Sequence, residues 1–301
     1  MFENFLKADR ALLFYLILIM HPMKQLLVIL FFLTAHLSYT QNKWNWVSSA
    51  PSGEMVYGSN DDILLTGTYQ KSAVVGSYTI DSPGSTGCFV ASINRSGDVN
   101  WLKKTISING GGWVRPNCIC TDESGNIYLL GIQTGSVIVE DSIILGQTGF
   151  TLFKYKADGK FLWAKNVGWG AGDFSSMKSR NGLIYLAGSF VVLPASPVIM
   201  GPYSYTTQPG PVYPGGPWNN DAYLAKLDTA GKVLSLLNFG GTKDDHSTGL
   251  ALNNAGEIFF SGKFMSQSIA IGSFSLSKPT GSGAFLLKMD ANDQVVWARS
   301  I

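Results

Sequence analysis

The sequence is poor in residues that carry out acid–base or metal chemistry. Only three of its 301 residues are histidines, and two of them, His21 and His36, lie within the first forty residues. None of the phosphate-binding, dinucleotide-binding, serine-nucleophile or zinc-protease motifs is present. Since His246 alone could serve a Ser-His-Asp triad, we expect a protein that is not an enzyme and that needs neither a metal nor a cofactor.

Charge is also scarce. Only 14% of the residues are charged, the formal net charge is +2, and the 22 Lys and Arg residues are spread along the chain. Proteins that bind nucleic acid usually concentrate basic residues on one face, so no nucleic-acid partner is expected. The chain has instead 34 glycines, 12% aromatic residues and a hydrophobic fraction of 46%, which is typical of an all-β protein with many tight turns.

The three cysteines cannot form a fully paired disulfide framework, because their number is odd. Cys118 and Cys120 are two residues apart, so on a strand they share one face. This spacing matches neither a zinc site nor a redox CxxC motif. We therefore expect Cys88, Cys118 and Cys120 to be buried free thiols.

Residues 1–40 form an apolar export segment that differs from the rest of the chain, and 41–301 form one repeat domain. The export segment has two interpretations. One is a membrane anchor over about residues 11–37. The other is a signal peptide over residues 23–40, with residues 1–22 added by a misplaced start codon.

The signal peptide is the favoured interpretation. Leu26–Leu33 has the length of a signal-peptide core, and Ser38 and Thr40 stand at the −3 and −1 positions before Gln41. A membrane anchor would place Pro22 and neighbouring polar residues near its middle. The protein is thus predicted to be secreted or held on the outer cell surface, with a membrane contact only through an uncleaved N-terminal segment.

Internal repeats determine the predicted fold. A turn of the type Asp-Gly-Lys recurs four times. Its central residue, used here as the mark of each repeat, is Gly97, Gly159, Gly231 or Asp293, at spacings of 62, 72 and 62 residues. Four residues after each mark stand Trp101, Trp163, Ser235 and Trp297. Eight residues before each mark stand Phe89, Thr151, Tyr223 and Phe285.

A second recurring motif, the second anchor, precedes each mark. It reads DILLTG, NIYLLG, LIYLAG and EIFFSG in the four repeats. Its last residue is Gly67, Gly131, Gly188 or Gly262. A glycine-rich β segment lies between the two anchors, and another strand follows each mark. Each unit is therefore predicted to hold about four short strands and no helix. Radial stacking of such sheets buries both faces, which favours a β-propeller.

The cycle GNIYLLG, FxLxKxDxxGxxxW and GG…D resembles the SBBP-type β-propeller repeats of bacterial secreted and surface proteins. The resemblance covers about residues 45–301, and DAYLAKLDTAGKVLSLLNFGGTKDD (221–245) is its best-matching stretch. It implies an extracellular location and a non-catalytic role.

The number of blades stays open. Trp-type segments occur five times, around Trp46, Trp101, Trp163, Ser235 and Trp297, whereas the other strand types occur four times. Either four blades close with one strand spare, or the chain is a fragment of a larger ring. We favour a truncated product, which would leave apolar sheet edges exposed.

Asp244, Asp245 and His246 form the most reactive cluster. Two carboxylates beside an imidazole could serve acid–base chemistry or hold a metal. Asp245, however, aligns with Asp173 in the preceding repeat, so we interpret both as turn residues that cap backbone N–H groups. Asp244 and His246 do not repeat and remain candidate ligand-binding residues.

The insertion Val191–Asn220 in the third repeat is the other departure from the pattern. It is either a proline-stiffened surface loop or an aromatic platform for a sugar or a partner protein. Its candidate binding residues are Tyr203, Tyr205, Tyr213 and Trp218. The recurring Trp101, Trp163 and Trp297 are expected to pack between blades or at the edge of a blade.

Three functions remain open at this point. The leading hypothesis is a non-catalytic interaction scaffold for an extracellular protein or glycan. The alternatives are a propeller enzyme that acts on polysaccharide and a structural fragment of a larger envelope protein.

Overall fold

The protein is built from antiparallel β-sheets. The computed structural model describes residues 54–108, 111–144, 146, 148–192, 197–205, 219–278 and 280–301, and this part of the chain contains 22 strands and no helix. The predicted all-β class is therefore confirmed. The export segment and Trp46 lie outside the described residues, and none of the described residues forms a helix that could cross a membrane.

Four sheets, numbered 1–4 in chain order, each contain four main strands. Sheet 1 holds β1 (Met55–Tyr57), β2 (Ile63–Val75), β3 (Tyr78–Ile93) and β4 (Val99–Ser107). Sheet 2 holds β5 (Trp113–Thr121), β6 (Ile127–Thr134), β9 (Gly149–Tyr155) and β10 (Phe161–Trp169). Sheet 3 holds β11 (Ala171–Arg180), β12 (Leu183–Val192), β15 (Asn219–Asp228) and β16 (Val233–Phe239). Sheet 4 holds β17 (Asp245–Leu252), β18 (Ile258–Phe264), β21 (Gly283–Met289) and β22 (Val295–Ser300).

Three short hairpins are inserted between the second and third strands of sheets 2, 3 and 4. They are β7 (Val137–Val139) with β8 (Ser142–Ile144), β13 (Val198–Met200) with β14 (Tyr203–Tyr205), and β19 (Ser268–Ile271) with β20 (Phe274–Ser277). Each turn contains a left-handed residue, which is Glu140, Gly201 or Gly272. Such residues give two-residue turns the twist that a hairpin needs.

Two of these hairpins join the preceding sheet. β7 pairs with β4, and β13 pairs with β10, so sheets 1 and 2 each grow to six strands. The glycine-rich segment was expected to be one of the four strands of its own repeat unit, and this prediction was wrong. In repeats 2 to 4 the segment is a separate hairpin of short strands. The fourth main strand comes instead from residues before each second anchor, in β1, β5, β11 and β17.

The hydrophobic cores lie between consecutive sheets. Alternate residues of one strand therefore enter different cores: Cys118 and Cys120 face sheet 3, while Ile119 faces sheet 1. Sheets 3 and 4 share a further core with β19 and β20. Among the described residues, sheet 4 has no strand paired with sheet 1, so closure into a propeller ring stays a prediction.

A tryptophan packs under the next repeat's turn at two of the junctions. A Cβ added to Gly159 would stand 2.6 Å from the Trp101 ring, and one added to Gly231 would stand 3.1 Å from the Trp163 ring. At the third junction the turn residue is Asp293, and Ser235 replaces the tryptophan. Lys226, the cross-strand partner of Ser235, forms an ion pair with Asp293. The junction that lacks the tryptophan thus also lacks the turn glycine that would cover it.

The cysteines are free and buried, as expected. Burial raises the pKa of Cys88 to about 12 and raises the pKa of Cys118 and Cys120 further. The reactive thiolate is therefore rare at neutral pH, and reagents have little access to the sulfur.

Gly159→Ala is expected to destabilise the protein more than Gly182→Ala. Both glycines have a left-handed φ (81° and 72°), but only Gly159 has a ring against it, while a Cβ on Gly182 meets nothing within 4 Å. Gly182→Ala should cost about 1 kcal/mol for the backbone alone, and Gly159→Ala should cost about 1–3 kcal/mol more through overpacking. Urea unfolding of both variants measures the difference, and equal losses would show that the Trp101 contact has no energetic weight.

All three thiols should resist a disulfide-exchange reagent in the native protein at pH 8. The same reagent should modify all three in a strong denaturant, because unfolding restores both access and an ordinary pKa. A colorimetric thiol count under the two conditions checks this. One fast-reacting thiol in the native protein would contradict the buried positions.

Candidate binding site

The tyrosines of the third repeat's insertion are partly described. Tyr213 and Trp218 lie outside the described residues. Tyr203 is half-buried in β14 and donates a hydrogen bond to the Leu234 carbonyl. Tyr205 is also half-buried, and its hydroxyl donates to Asp221 Oδ2 at 2.9 Å. Both hydroxyl groups are therefore engaged within the protein, which leaves only part of each ring for a ligand.

Asp245 is fully buried at the start of β17. Its Oδ1 accepts hydrogen bonds from the Met265 and Ser266 backbone N–H groups, and its Oδ2 accepts one from Gly241 N at 2.8 Å. The Ser266 hydroxyl donates to Oδ2 at 2.7 Å. This carboxylate caps two chain segments where they approach the sheet.

The strand register shows that Asp173 is not the counterpart of Asp245. Asp245 pairs with Phe264, whereas Asp173 pairs with Ser189. Counted from the anchor glycines Gly262 and Gly188, Asp173 occupies the position of His246. Asp173 is exposed on β11, so the two aspartates do not share one structural role.

Asp244 and His246 flank Asp245 and are half-buried. Asp244 Oδ1 accepts hydrogen bonds from the Asn220 backbone N–H and the Asn220 side-chain amide, both at 3.1 Å. The carboxylate therefore ties β15 to the approach of β17. The described residues contain no group of three His, Cys, Asp or Glu side chains that could hold a metal ion.

A pair of aromatic rings recurs on the second and third strands of sheets 1, 3 and 4. One ring lies directly opposite the anchor glycine, and the other lies two residues beyond that glycine. The pairs are Phe89 with Tyr69, Tyr223 with Phe190, and Phe285 with Phe264. Their side chains are at most 4% exposed, and the Phe190 and Tyr223 rings stack with centroids 4.0 Å apart.

The backbone makes room for these rings with glycine. A Cβ on Gly262 would stand 2.3 Å from the Phe285 ring, and one on Gly188 would stand 2.6 Å from the Tyr223 ring. Each would also meet a carbonyl oxygen of the neighbouring strand, that of His246 at 2.3 Å or that of Asp173 at 2.2 Å. In sheets 1 and 4 a second glycine, Gly87 or Gly283, likewise lies opposite the second ring. An aromatic side chain that covers a cross-strand glycine is a common way to stabilise such a bare position in a sheet.

Sheet 2 keeps both glycines but has neither ring. Gly131 pairs with Thr151, and Gly149 pairs with Gln133. A cavity of about 540 Å³ lies here, between sheet 2 and the hairpin β7–β8. Its lining residues are Gln133, Ile143, Ile144, Gly146, Thr151, Ala164 and Asn166. The cavity therefore lies where this repeat departs from the other three.

Polar groups on the cavity wall are fixed by the fold. Gln133 is 1% exposed, and its Nε2 donates to the carbonyls of Gly135 at 3.0 Å and Ile144 at 3.5 Å. Asn166 lies on β10 opposite Thr151. Its counterpart Asn238, opposite Tyr223, donates to the Tyr205 hydroxyl.

An exposed tryptophan, Trp169, lies near the cavity without lining it. A Cβ built on Gly149 would lie 2.4 Å from the Gly168 carbonyl oxygen, 2.7 Å from Asn166 Nδ2 and 3.2 Å from Trp169 Cβ, so β10 passes close to this glycine at the base of both side chains. Trp169 is 44% exposed, and its backbone is paired with Ile199 of β13. On the hairpin side of the cavity, Ile143 is 61% exposed.

Sequence reasoning did not identify this site. Its signal was present in the repeat alignment, where Thr151 stands among Phe89, Tyr223 and Phe285. Gln133 is a second exception at the position two residues after the anchor glycine. Two polar residues at positions that hold rings in the other three repeats predict a gap in the core, whereas neither the charged residues nor the insertion points to it.

Comparisons with known proteins give little guidance. No protein-family model and no curated protein matches the chain. Similar solved structures include an ulvan lyase described as a new polysaccharide lyase family, with a TM-score of 0.40 and 12% identity over 82% of this chain. The same lyase with a bound saccharide gives a TM-score of 0.40 and 11% identity. This chain covers only 57% of the lyase chains.

A protein of unknown function from Bacteroides caccae is also similar, with a TM-score of 0.28 and 12% identity. That match covers 82% of this chain and 80% of the other. With TM-scores this low, these similarities support neither a fold assignment nor a function.

Asp221 should make the stability of the protein depend on pH. Burial raises its pKa from the ordinary value of 3.8 to about 6, and the nearby Asp245 adds to the shift. A raised pKa in the folded state gives stability that is complete below about pH 4 and lost as the pH rises through about 6. Asp221→Asn, which keeps an acceptor for Tyr205, should remove on the order of 2 kcal/mol of the loss between pH 4 and pH 7.

Urea unfolding at several pH values measures this effect. Asp245 also has a raised pKa through burial, so the variant should keep a shallower slope of the same sign. Identical slopes for the two proteins would show that Asp221 ionises normally in the folded state.

Proposed function

We propose that this protein is an exported, non-catalytic binding scaffold of the β-propeller type, and that it binds its ligand in the cavity of sheet 2. One observation carries the proposal. Sheet 2 retains Gly131 and Gly149, which elsewhere accommodate aromatic rings, yet it has Thr151 and Gln133 in place of those rings. A large-to-small change in a core usually costs several kcal/mol, and a ligand site offers a reason for that cost.

The dimensions and the walls of the cavity suit a ligand. A volume of about 540 Å³ lies within the range of small-molecule sites, and apolar walls with a few placed polar groups are typical of such sites. The described lining residues offer amides, a hydroxyl and isoleucines. They include no carboxylate, imidazole or amine that could transfer a proton, which favours binding over catalysis.

The acidic residues singled out in the sequence have structural partners. Asp245 accepts three backbone hydrogen bonds, and Asp244 accepts two from Asn220. These bonds hold the junction between sheets 3 and 4, away from the cavity of sheet 2. The proposed export rests on the signal-peptide pattern of residues 23–40, and the propeller type rests on the serial packing of four-stranded sheets.

Restoring the aromatic pair should abolish binding. Gln133→Phe combined with Thr151→Phe supplies the rings that the equivalent positions of sheets 1 and 4 hold. Cavity filling should offset the loss of the two Gln133 hydrogen bonds, so the variant should stay folded, which circular dichroism checks. Binding of the full chain to arrayed neutral polysaccharides, acidic polysaccharides and peptides would be compared before and after the double substitution. The same samples would be assayed for released reducing ends and for unsaturated uronate.

A matched control is the isosteric Thr66→Val, which alters a buried threonine in sheet 1 and leaves the cavity intact. The proposal predicts a ligand that binds the wild type and the control, is lost from the refilled variant and is not cleaved. Cleavage products from the wild type, undiminished binding by the refilled variant, or no binding to any arrayed material would overturn it.

A further inference from the structure

We infer, on the basis of the proposed function, that the ligand of the sheet 2 cavity is an uncharged carbohydrate that stacks a sugar ring on Trp169. The inference comes from the kinds of groups that surround the cavity. Its polar members are the Asn166 amide, the Thr151 hydroxyl and the side-chain oxygen of Gln133, which all form neutral hydrogen bonds with hydroxyl groups. The Gln133 Nε2 group already donates to two carbonyls.

The nearby cations are engaged elsewhere, which argues against an acidic polysaccharide. Lys165 follows Ala164 on β10, but its Nζ donates to the Ala230 carbonyl at 2.7 Å and lies over the Trp163 ring. Lys154 on β9 donates to the Thr229 carbonyl at 3.2 Å and lies over Tyr128. Both amines contact the turn of repeat 3, so neither is free to neutralise a carboxylate or a sulfate in the cavity.

Exposed apolar surface on both sides of the polar groups favours a sugar. The Trp169 Cβ and the Asn166 side chain both lie next to Gly149. Ile143 is exposed on the hairpin side of the cavity. A pyranose has apolar C–H faces and hydroxyl groups around its edge, so it matches an aromatic face placed next to amides. An extended peptide would also find apolar surface here, and the experiment separates the two.

Trp169 is held in place before the ligand arrives. Gly168 and Trp169 of β10 pair with Met200 and Ile199 of β13, so the hairpin of repeat 3 fixes the backbone that carries the ring. A preformed stacking surface loses little conformational freedom on binding. The insertion in repeat 3 therefore contributes to the site by positioning Trp169.

The test is a calorimetric titration of the full chain with uncharged gluco-, manno-, galacto- and xylo-oligosaccharides. Oligogalacturonate, a sulfated oligosaccharide and a mixed tetrapeptide pool serve as competing classes. At least one uncharged oligosaccharide should bind, with an affinity that changes little between 50 and 500 mM salt. Trp169→Ala and Asn166→Ala should each weaken that binding about tenfold or more.

Trp113→Ala is the matched control, because Trp113 is 37% exposed on β5, at the opposite edge of the four main strands of sheet 2. This variant should bind like the wild type, and circular dichroism should show all three variants folded. Salt-sensitive binding of only the acidic sugars, binding of only the peptides, or unchanged affinity in Trp169→Ala would overturn the inference. If the bound acidic sugar or peptide is lost on refilling the cavity, the proposed function stands and only the ligand class is wrong.

Discussion

Burial between consecutive sheets is the interaction on which the rest of the structure depends. A four-stranded sheet has two apolar faces and cannot cover either one by itself. Each core therefore combines strands from two neighbouring repeats with the hairpin of the later repeat. Hairpins β7–β8 and β13–β14 add strand pairing to this packing, because each hydrogen-bonds to the outermost main strand of the preceding sheet. Stability is thus a property of junctions between repeats, as in other repeat architectures.

Because the junctions carry the stability, a repeat that differs from the others at one side of a junction also differs at the contacting residue. A Cβ in the turn above Trp101 would clash with the ring at 2.6 Å, and one in the turn above Trp163 would make a tight contact at 3.1 Å. Where the turn residue is Asp293, the tryptophan position holds Ser235, and an ion pair from Lys226 replaces the ring contact. The cavity of sheet 2 differs from this case. Gln133 and Thr151 stand where the other repeats have two rings, yet among the described residues no neighbouring side chain fills that volume.

The all-β class and the repeat length followed from the sequence, because alternating polarity and turn residues are local signals. The free thiols followed from the odd number of cysteines. The sheet that each hairpin joins could not be predicted from the sequence. Pairing of β7 with β4 joins residues of different repeats and leaves no periodic signal in either one. The alignment of Asp173 with Asp245 failed by one residue, because turn acids near a strand end fix its start poorly, whereas cross-strand pairing fixes the register. Asp244 and His246 stand out in the sequence by their chemical reactivity, whereas the cavity is revealed by missing side-chain volume.

The absence of the two rings over Gly131 and Gly149 is the strongest argument that the cavity serves a purpose. Glycine in a strand weakens the sheet, and in sheets 1 and 4 the rings of Phe89, Tyr69, Phe285 and Phe264 offset that cost. Sheet 2 bears the cost of Gly131 and Gly149 without that compensation. A Cβ on Gly149 would stand 2.4 Å from the Gly168 carbonyl oxygen and 2.7 Å from Asn166 Nδ2, and one on Gly131 would stand 2.9 Å from the Arg115 carbonyl oxygen. The close approach of the neighbouring strands therefore still requires both glycines. The backbone that elsewhere accommodates a core ring here leaves room for an amide and an exposed tryptophan, which is the arrangement that a ligand site requires.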